Sequence, residues 1–252
     1  MRILLLNPNM SSSMTETLAA AAMPVASGDV ELIPVTASKG FPYISSRAEA
    51  QIAGAFALET IAEYEHEVDA IILAAFGDPG LKAAREQFNL PIVGMAQAAI
   101  AMATLLGERF SIVTFTPLMS RWYMDSVVES RQESRFTGVR TPEANKLDAF
   151  AEQATMEKEL LRLINQSIEE DRVDSVILGG APLAGMAAQL QPQVNALLVD
   201  PISSAVALVE SMVKLSNKAA FSKRHSRPAA KESVGLSEIL ARAMNGAGKT
   251  NK

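Results

Sequence analysis

An α/β fold of two pseudo-symmetric lobes, each with a parallel central sheet, is what this sequence predicts, and three observations carry it. First, Val68-Asp69-Ala70-Ile71-Ile72-Leu73-Ala74-Ala75-Phe76-Gly77-Asp78-Pro79-Gly80-Leu81 is answered by Val173-Asp174-Ser175-Val176-Ile177-Leu178-Gly179-Gly180-Ala181-Pro182-Leu183-Ala184-Gly185-Met186. Second, each copy is a continuous apolar run closed by a Gly/Pro loop, which suits a parallel strand covered on both faces by helices. Third, two further pairs keep the same order: Asn7-Pro8-Asn9-Met10-Ser11 with Thr116-Pro117-Leu118-Met119-Ser120, and Pro91-Ile92-Val93-Gly94-Met95 with Leu197-Leu198-Val199-Asp200-Pro201. Gly and Pro punctuation alone explains one match, but chance matches need not keep order, so duplication of a β/α unit follows.

Taken in order, Ile3 to Leu6 is a strand, and Ser13 with Glu16 makes a capping box for a helix through about Ala26. Gly28-Asp29 turns the chain into a strand from Val30 to Val35. After a loop holding Lys39, Phe41, Pro42 and Tyr43, Ser46 with Glu49 repeats the capping box ahead of a helix to about Tyr64. The strand at Ala70 follows, then a helix from Leu81 to Phe88, a short strand Pro91–Gly94 and a small-residue helix Ala96–Leu106. Phe110 to Thr114 opens the second half. Gly138 to Pro142 reads as a break, Ala149 to about Glu170 as a long helix, and Ile202 to about Leu215 as the last one. The expected division is a first lobe over residues 1–107 and a second over 108–215, the last helix being free to pack on the first lobe. A basic tail over 216–252, with an amphipathic patch at Leu236, Ile239 and Leu240, reads as flexible, with a packing arm as the alternative.

Composition narrows the partners. The chain has 252 residues, 48% of them hydrophobic and 20% charged, with a net charge of −5 and a pI near 5.2. That balance speaks against a nucleic-acid surface, which needs clustered Lys and Arg. No apolar run is long enough for a membrane span and no signal peptide is legible, so a cytoplasmic homo-oligomer is the expectation. Cysteine is absent, and the two histidines, His66 and His225, lie in charged or basic runs. With no carboxylate cluster either, no metal is expected.

In an open α/β sheet, ligands bind beyond the carboxyl ends of the strands. The loops Asn7–Ser13, Phe76–Gly80, Thr114–Ser120 and Gly180–Gly185 should therefore face one cleft between Rossmann-like lobes. Backbone N–H groups at helix starts, with hydroxyl and amide side chains, suit a small carboxylate, cyclic amide or lactone.

Asn7-Pro8-Asn9 with Ser11 and Thr15, the Phe76–Leu81 loop and the Val-Asp…Ile-Leu-Gly pattern of the second half resemble the hydantoin and allantoin racemases of the aspartate/glutamate racemase superfamily, over about residues 1–215. The resemblance implies a two-lobed enzyme needing no cofactor, in which two cysteines on opposite sides of the cleft exchange a proton at the substrate's α-carbon. The matching positions here are Ala75 and Gly180, so both thiols are missing. Neither residue can carry a proton, and general acid–base groups are worth typically 10²–10⁴-fold each.

What is left is one candidate catalytic group, Asp78, which could act as a base if burial raised its pKa; the plainer role is an N-cap before Pro79. Candidate ligand contacts are Asn9, Ser11 and Thr15 from the first loop, and Phe76 and Gly77 from the second. Thr114, Thr116 and Ala181 join them from the second half. Tyr43 and Arg47 could close over the cleft, Arg47 pairing with a substrate carboxylate, although Arg47 could equally be a solvated first-turn residue. The expected function is a divergent, cofactor-independent enzyme that hydrolyses or decarboxylates a small carboxylate, cyclic amide or lactone without a thiol. A binding or regulatory homologue without turnover, a cysteine-substituted racemase, and a structural role through the basic tail are the alternatives.

Overall fold

The computed structural model describes residues 1–143, 152–215, 221 and 231–245. The first half runs β1 (Arg2–Asn7), α1 (Ser12–Ala22), β2 (Glu31–Thr36), α2 (Arg47–Tyr64), β3 (Ala70–Leu73), α3 (Leu81–Gln87), β4 (Ile92–Gly94) and α4 (Met95–Leu106). The second runs β5 (Phe110–Val113), α5 (Ser120–Glu129), β6 (Phe136–Arg140), α6 (Gln153–Asp171), β7 (Ser175–Leu178), α7 (Met186–Leu190), β8 (Leu197–Val199) and α8 (Pro201–Leu215), and α9 (Glu238–Met244) follows. Each half forms one four-stranded sheet, in the orders β2-β1-β3-β4 and β6-β5-β7-β8, and every pairing is parallel. The two-lobed α/β architecture with parallel sheets stands as the apolar runs required: Ile3–Leu6, Ile71–Leu73 and Val176–Leu178 are wholly buried, the signature of strands with helices on both faces.

Register sets the equivalence of the cleft loops. Leu6 pairs with Leu73, and Val113 pairs with Leu178. Since β3 and β7 are the repeated strands, Asn7 answers Thr114 and Asn9 answers Thr116. The Pro-Met-Ser echo read from the sequence is therefore two residues out of step, because two Pro-containing turns of different length follow the two strands. The cap of α1 is likewise Ser11 rather than Ser13, its Oγ accepting from Met14 N–H. At α2 the cap is Ser46 as read, accepting from Glu49 N–H, but the Glu49 carboxylate returns to the N–H and hydroxyl of Ser45, one residue before the position a capping box uses.

Two elements contradict the sequence reading. Gly138 does not mark a break but lies inside β6, an edge strand that is half-buried throughout. Helix α5, unforeseen, buries Tyr123, Ser126 and Val127. In the expected tail, the patch is ordered: α9, capped by Ser237, packs on α2, and Leu240 is buried. Gln87 donates through Nε2 to the Ala243 carbonyl, closing that contact. Of the residues that make the tail basic, Lys218, Lys223, Arg224 and Arg227 lie outside the described residues and Lys231 within them; the start expected for α6 at Ala149 also lies outside.

The two crossing helices position the cleft. Helix α4 leaves the first sheet and packs its small face, Ala96, Ala99, Ile100 and Ala103, against Phe110, Ile112 and Ile177 of the second. Helix α8 does the reverse, with Ile202, Ala205, Val206 and Val209 against Leu5, Ile72 and Val93. Each fully buried Ile or Val contributes about 1.5–3 kcal/mol, so the lobes are interleaved through their last helices. Glu210 on α8 fastens the exchange by accepting from the N–H and hydroxyl of Ser27, after α1. Among the described residues, no helix is long and apolar enough to cross a membrane.

Candidate functional site

The first loop is a closed hydrogen-bond circuit. Buried Asn7 donates through Nδ2 to Asn9 Oδ1 (2.8 Å), the Ser11 carbonyl (3.1 Å) and Thr15 Oγ1 (3.0 Å). Asn9 Oδ1 also accepts from Ser11 N–H at 2.9 Å, and Thr15 Oγ1 lies 2.6 Å from Thr36 Oγ1. A backbone N–H can only donate, so Ser11 fixes which end of the Asn9 amide is oxygen. That leaves Asn9 Nδ2 with no protein acceptor among the described residues. Ser11 and Thr15, expected as ligand contacts, are spent on capping α1 and on stapling the loop to β2.

The second loop carries Ala75, Phe76, Gly77 and Asp78. Ala75 is nearly buried, at 8% exposure, in ordinary backbone geometry. The Phe76 ring crosses to the second lobe, meeting Tyr123 edge-on at a centroid distance of 4.6 Å. Gly77 has φ 105°, and a Cβ there would lie 2.3 Å from the Trp122 indole. Only glycine satisfies both the backbone and the ring. Asp78 does not cap α3, whose N-cap is Gly80. Its carboxylate instead accepts from Ala96 N–H and Gln97 N–H at 2.8 Å each, capping α4 from outside. Asp78 as a residue keeps some surface, but its carboxyl is enclosed against Gly94. Burial pushes it up to about 7, against the pull of the two N–H donors and Arg85.

Across the cleft, Gly180 has φ 125°, and a Cβ on it would stand 2.9 Å from Phe115 Cε1 and 3.3 Å from the Tyr123 hydroxyl. Tyr123 is buried, and burial holds its phenol well above the ordinary range, with Thr114 pulling the other way. The Thr114 hydroxyl is itself buried and makes no hydrogen bond of regular geometry. Tyr43 is also raised, first by burial and then by Glu49, and its ring lies 6.3 Å from Phe115. Thr116 is a cap, accepting from Leu118 N–H at the short 3-10 turn Pro117–Met119. Ala181 opens the corresponding turn Ala181–Leu183 and packs on the core beside α1.

Arg47 is engaged: Nε and Nη2 reach the two oxygens of Asp125 at 2.6 and 2.9 Å, and Nη2 also reaches the Arg121 carbonyl. The fork joins α2 to α5, so it bridges the lobes on an exposed surface. The structure thus brings Ala75, Phe76, Gly180, Thr114 and Tyr43 together. It leaves Arg47 tied to α5, and Ser11, Thr15 and Thr116 tied to their own loops. Sequence reading missed Tyr123, Trp122 and Phe115. The spacing Met119, Tyr123, Val127 is a helical stripe that marks α5 in retrospect. Among the described residues, no three His, Cys, Asp or Glu side chains gather as a metal-ligand group.

Paired βα loops facing each other between two parallel sheets define a duplicated, two-lobed α/β protein. The chain belongs to the Asp/Glu/hydantoin racemase family, whose model matches residues 3–209. A hydantoin racemase of Pseudomonas sp. (strain NS671) is 32% identical over 96% of this chain and 98% of its own. The hydantoin racemase of Paenarthrobacter aurescens is 30% identical over 92% and 99%. The structure of allantoin racemase from Klebsiella pneumoniae superposes with a TM-score of 0.86 at 31% identity, covering 95% of this chain and 98% of that one. The resemblance drawn from the cleft loops is therefore correct, and this member contains no cysteine.

Proposed function

We propose that the cleft binds a small cyclic amide or carboxylate and does not exchange its α-proton. The observation that carries this is what stands at the two positions matching the family's cysteines: a methyl group at Ala75 and, at Gly180, a backbone conformation closed to side chains and walled by Phe115 and Tyr123. A thiol at neutral pH is a few per cent thiolate. For a phenol of ordinary pKa near 10, the phenolate is about a thousandfold rarer than the neutral form at pH 7, and Tyr123 is raised further by burial. Tyr123 therefore donates hydrogen bonds but is a poor base. Asn9 Nδ2 and the cleft hydroxyls are also donors, which favours ligands rich in carbonyl oxygen.

Turnover by hydrolysis or decarboxylation is the second reading. One observation favours it: the Asp78 carboxyl is pushed up to about 7, where a general acid or base works best. Against it, both Asp78 oxygens are already held by α4.

The test is a panel of hydantoins, imides, lactones and malonates, scored by melting temperature and by mass spectrometry of the incubated ligand. A ligand at 100 times its Kd adds about 2.7 kcal/mol of stability, so binding is readable. A melting shift without new product is the expected result. Product formation would replace it with the second reading, and no shift from any compound would refute ligand binding at the cleft.

A further inference from the structure

The two lobes solve one structural problem with the same group taken from opposite sides. In the first lobe, Asp78 sits in the loop after β3 and reaches the start of α4. The residue at the start of α4 is Gly94, and the Asp78 carboxyl fills the place its side chain would take: a Cβ on Gly94 would lie 2.3 Å from Asp78 Cγ. In the second lobe the register makes Asp200 the counterpart of Gly94, since Ile72 pairs with Val93 and Ile177 with Val199. There the carboxylate stands at the helix start. Asp200 Oδ1 accepts from Ser203 N–H at 2.9 Å, capping α8, and Oδ2 reaches back to Gly185 N–H at 2.7 Å in the loop after β7. Gly185 and Gly80 are themselves counterparts, both left-handed, with φ 83° and 84°.

Each carboxylate therefore binds a cleft loop to the N-terminus of a helix, and those helices are the two that cross to the opposite lobe. We infer that Asp78 and Asp200 are positioning residues of the cleft: each holds a ligand-facing loop in register with the helix that its lobe lends to the other. The loop bearing Ala75 and Phe76 is then set by α4, which rests on the second sheet. The loop bearing Gly180 and Ala181 is set by α8, which rests on the first. A shift of one lobe against the other would have to break a carboxylate tether or drag a cleft loop with it. The inference rests on the proposed ligand site only for what the loops hold; the tethers are present in the free protein.

Relocation of the carboxylate tests this. Asp78→Ala removes the first tether. Gly94→Asp alone places a side chain where the Asp78 carboxyl already sits. Asp78→Ala with Gly94→Asp rebuilds, in the first lobe, the arrangement of the second, at a position whose backbone (φ −98°, ψ 149°) accepts any residue. Two signals are read without ligand: hydrogen exchange at the Ala96 and Gln97 amides and in the 76–80 loop, and the emission of Trp122, the chain's single tryptophan, whose ring lies on Gly77.

Asp78→Ala should speed exchange of those amides by about tenfold, the size of effect a lost capping side chain produces, and should shift Trp122 emission. Amides of α1 should not change. The double variant should recover most of the protection and the parental emission. Should Asp78→Ala not fold, Asp78→Asn serves, because an amide oxygen can satisfy one of the two N–H donors and not both; a smaller effect confined to the same amides is then expected.

A double variant no better protected than Asp78→Ala, or a single variant whose loosening is spread evenly over the first lobe, would overturn the inference. Melting shifts with hydantoin, measured on the same proteins, keep the two claims apart. A parent without a shift tells against the ligand reading, whereas rescue of exchange depends on the tether alone.

Discussion

In the first lobe the loop after the leading strand is a polar circuit of Asn7, Asn9, Ser11 and Thr15; in the second, the same position in the sheet is followed by buried Thr114, Phe115 and Thr116, which line an aromatic wall with Tyr123. The sheets share strand order and register, yet one rim supplies a hydrogen-bond donor and the other supplies bulk. A duplicated backbone constrains where loops emerge and leaves their chemistry free. The difference is sharpest at the paired positions Ala75 and Gly180, where one side keeps a backbone that accepts a side chain and the other does not.

That asymmetry makes the largest expected effect. Gly180→Cys asks a side chain to adopt φ 125° with its Cβ 2.9 Å from the Phe115 ring. Backbone strain costs roughly 1–3 kcal/mol and overpacking roughly as much again. Ala75→Cys meets ordinary backbone and should cost less than about 1.5 kcal/mol. Denaturant titration of the two single variants checks this, and equal losses would erase the distinction between the lobes. It also means that restoring both thiols does not by itself rebuild the family's site.

Asp78 gives the next effect, in pH. Burial lifts its folded pKa to about 7, well above the 3.8 of an unperturbed aspartate. Between these values the folded chain holds a proton that the unfolded chain has released, so stability falls as pH rises through that window and levels off above it. At about 1.36 kcal/mol per unit the full contribution is on the order of 4 kcal/mol. Asp78→Asn should flatten the slope of unfolding free energy between pH 5 and 7; an unchanged slope would place the titration elsewhere.

Glu210 comes third. Burial pushes its carboxyl up, but the Ser27 hydroxyl and N–H and the Lys214 ammonium more than offset this and hold it low. Its stabilisation is therefore present above the unfolded carboxylate range and lost as pH falls below it. Glu210→Ala leaves Ser27 without its acceptor and should cost about 1–3 kcal/mol, loosening α8 on the first lobe. The smallest effect belongs to Arg47→Ala, which removes an exposed, solvent-screened bridge between the lobes and should barely move the unfolding midpoint. A larger loss there would make the surface fork, rather than the crossing helices, the main fastening.

What could be read from the sequence follows the same physics. Strands buried on both faces announce themselves as apolar runs, so β1, β3, β5 and β7, their loops and the duplication are legible in the sequence. Strand β6 is an edge strand of intermediate burial containing Gly138, and it looks like a turn. Helix α5 buries few residues behind Pro117, so neither it nor Tyr123 and Trp122 stands out in the sequence. Asp78 stands out in the sequence, but its partner amides lie beyond an intervening helix and strand, and nothing near Arg47 in the chain points to Asp125, 78 residues away. Contacts between elements far apart in sequence leave no periodicity to detect.

The central claim, that this family member binds in the cleft without exchanging an α-proton, is tested most directly by ligand-observed NMR of an enantiopure 5-substituted hydantoin in D₂O. The predicted result is saturation transfer from protein to ligand, with the C5 proton signal decaying no faster than in buffer alone. Protein-dependent loss of that signal, reproduced with a chain that contains no cysteine, would show that proton exchange has survived without the thiols and would contradict the account.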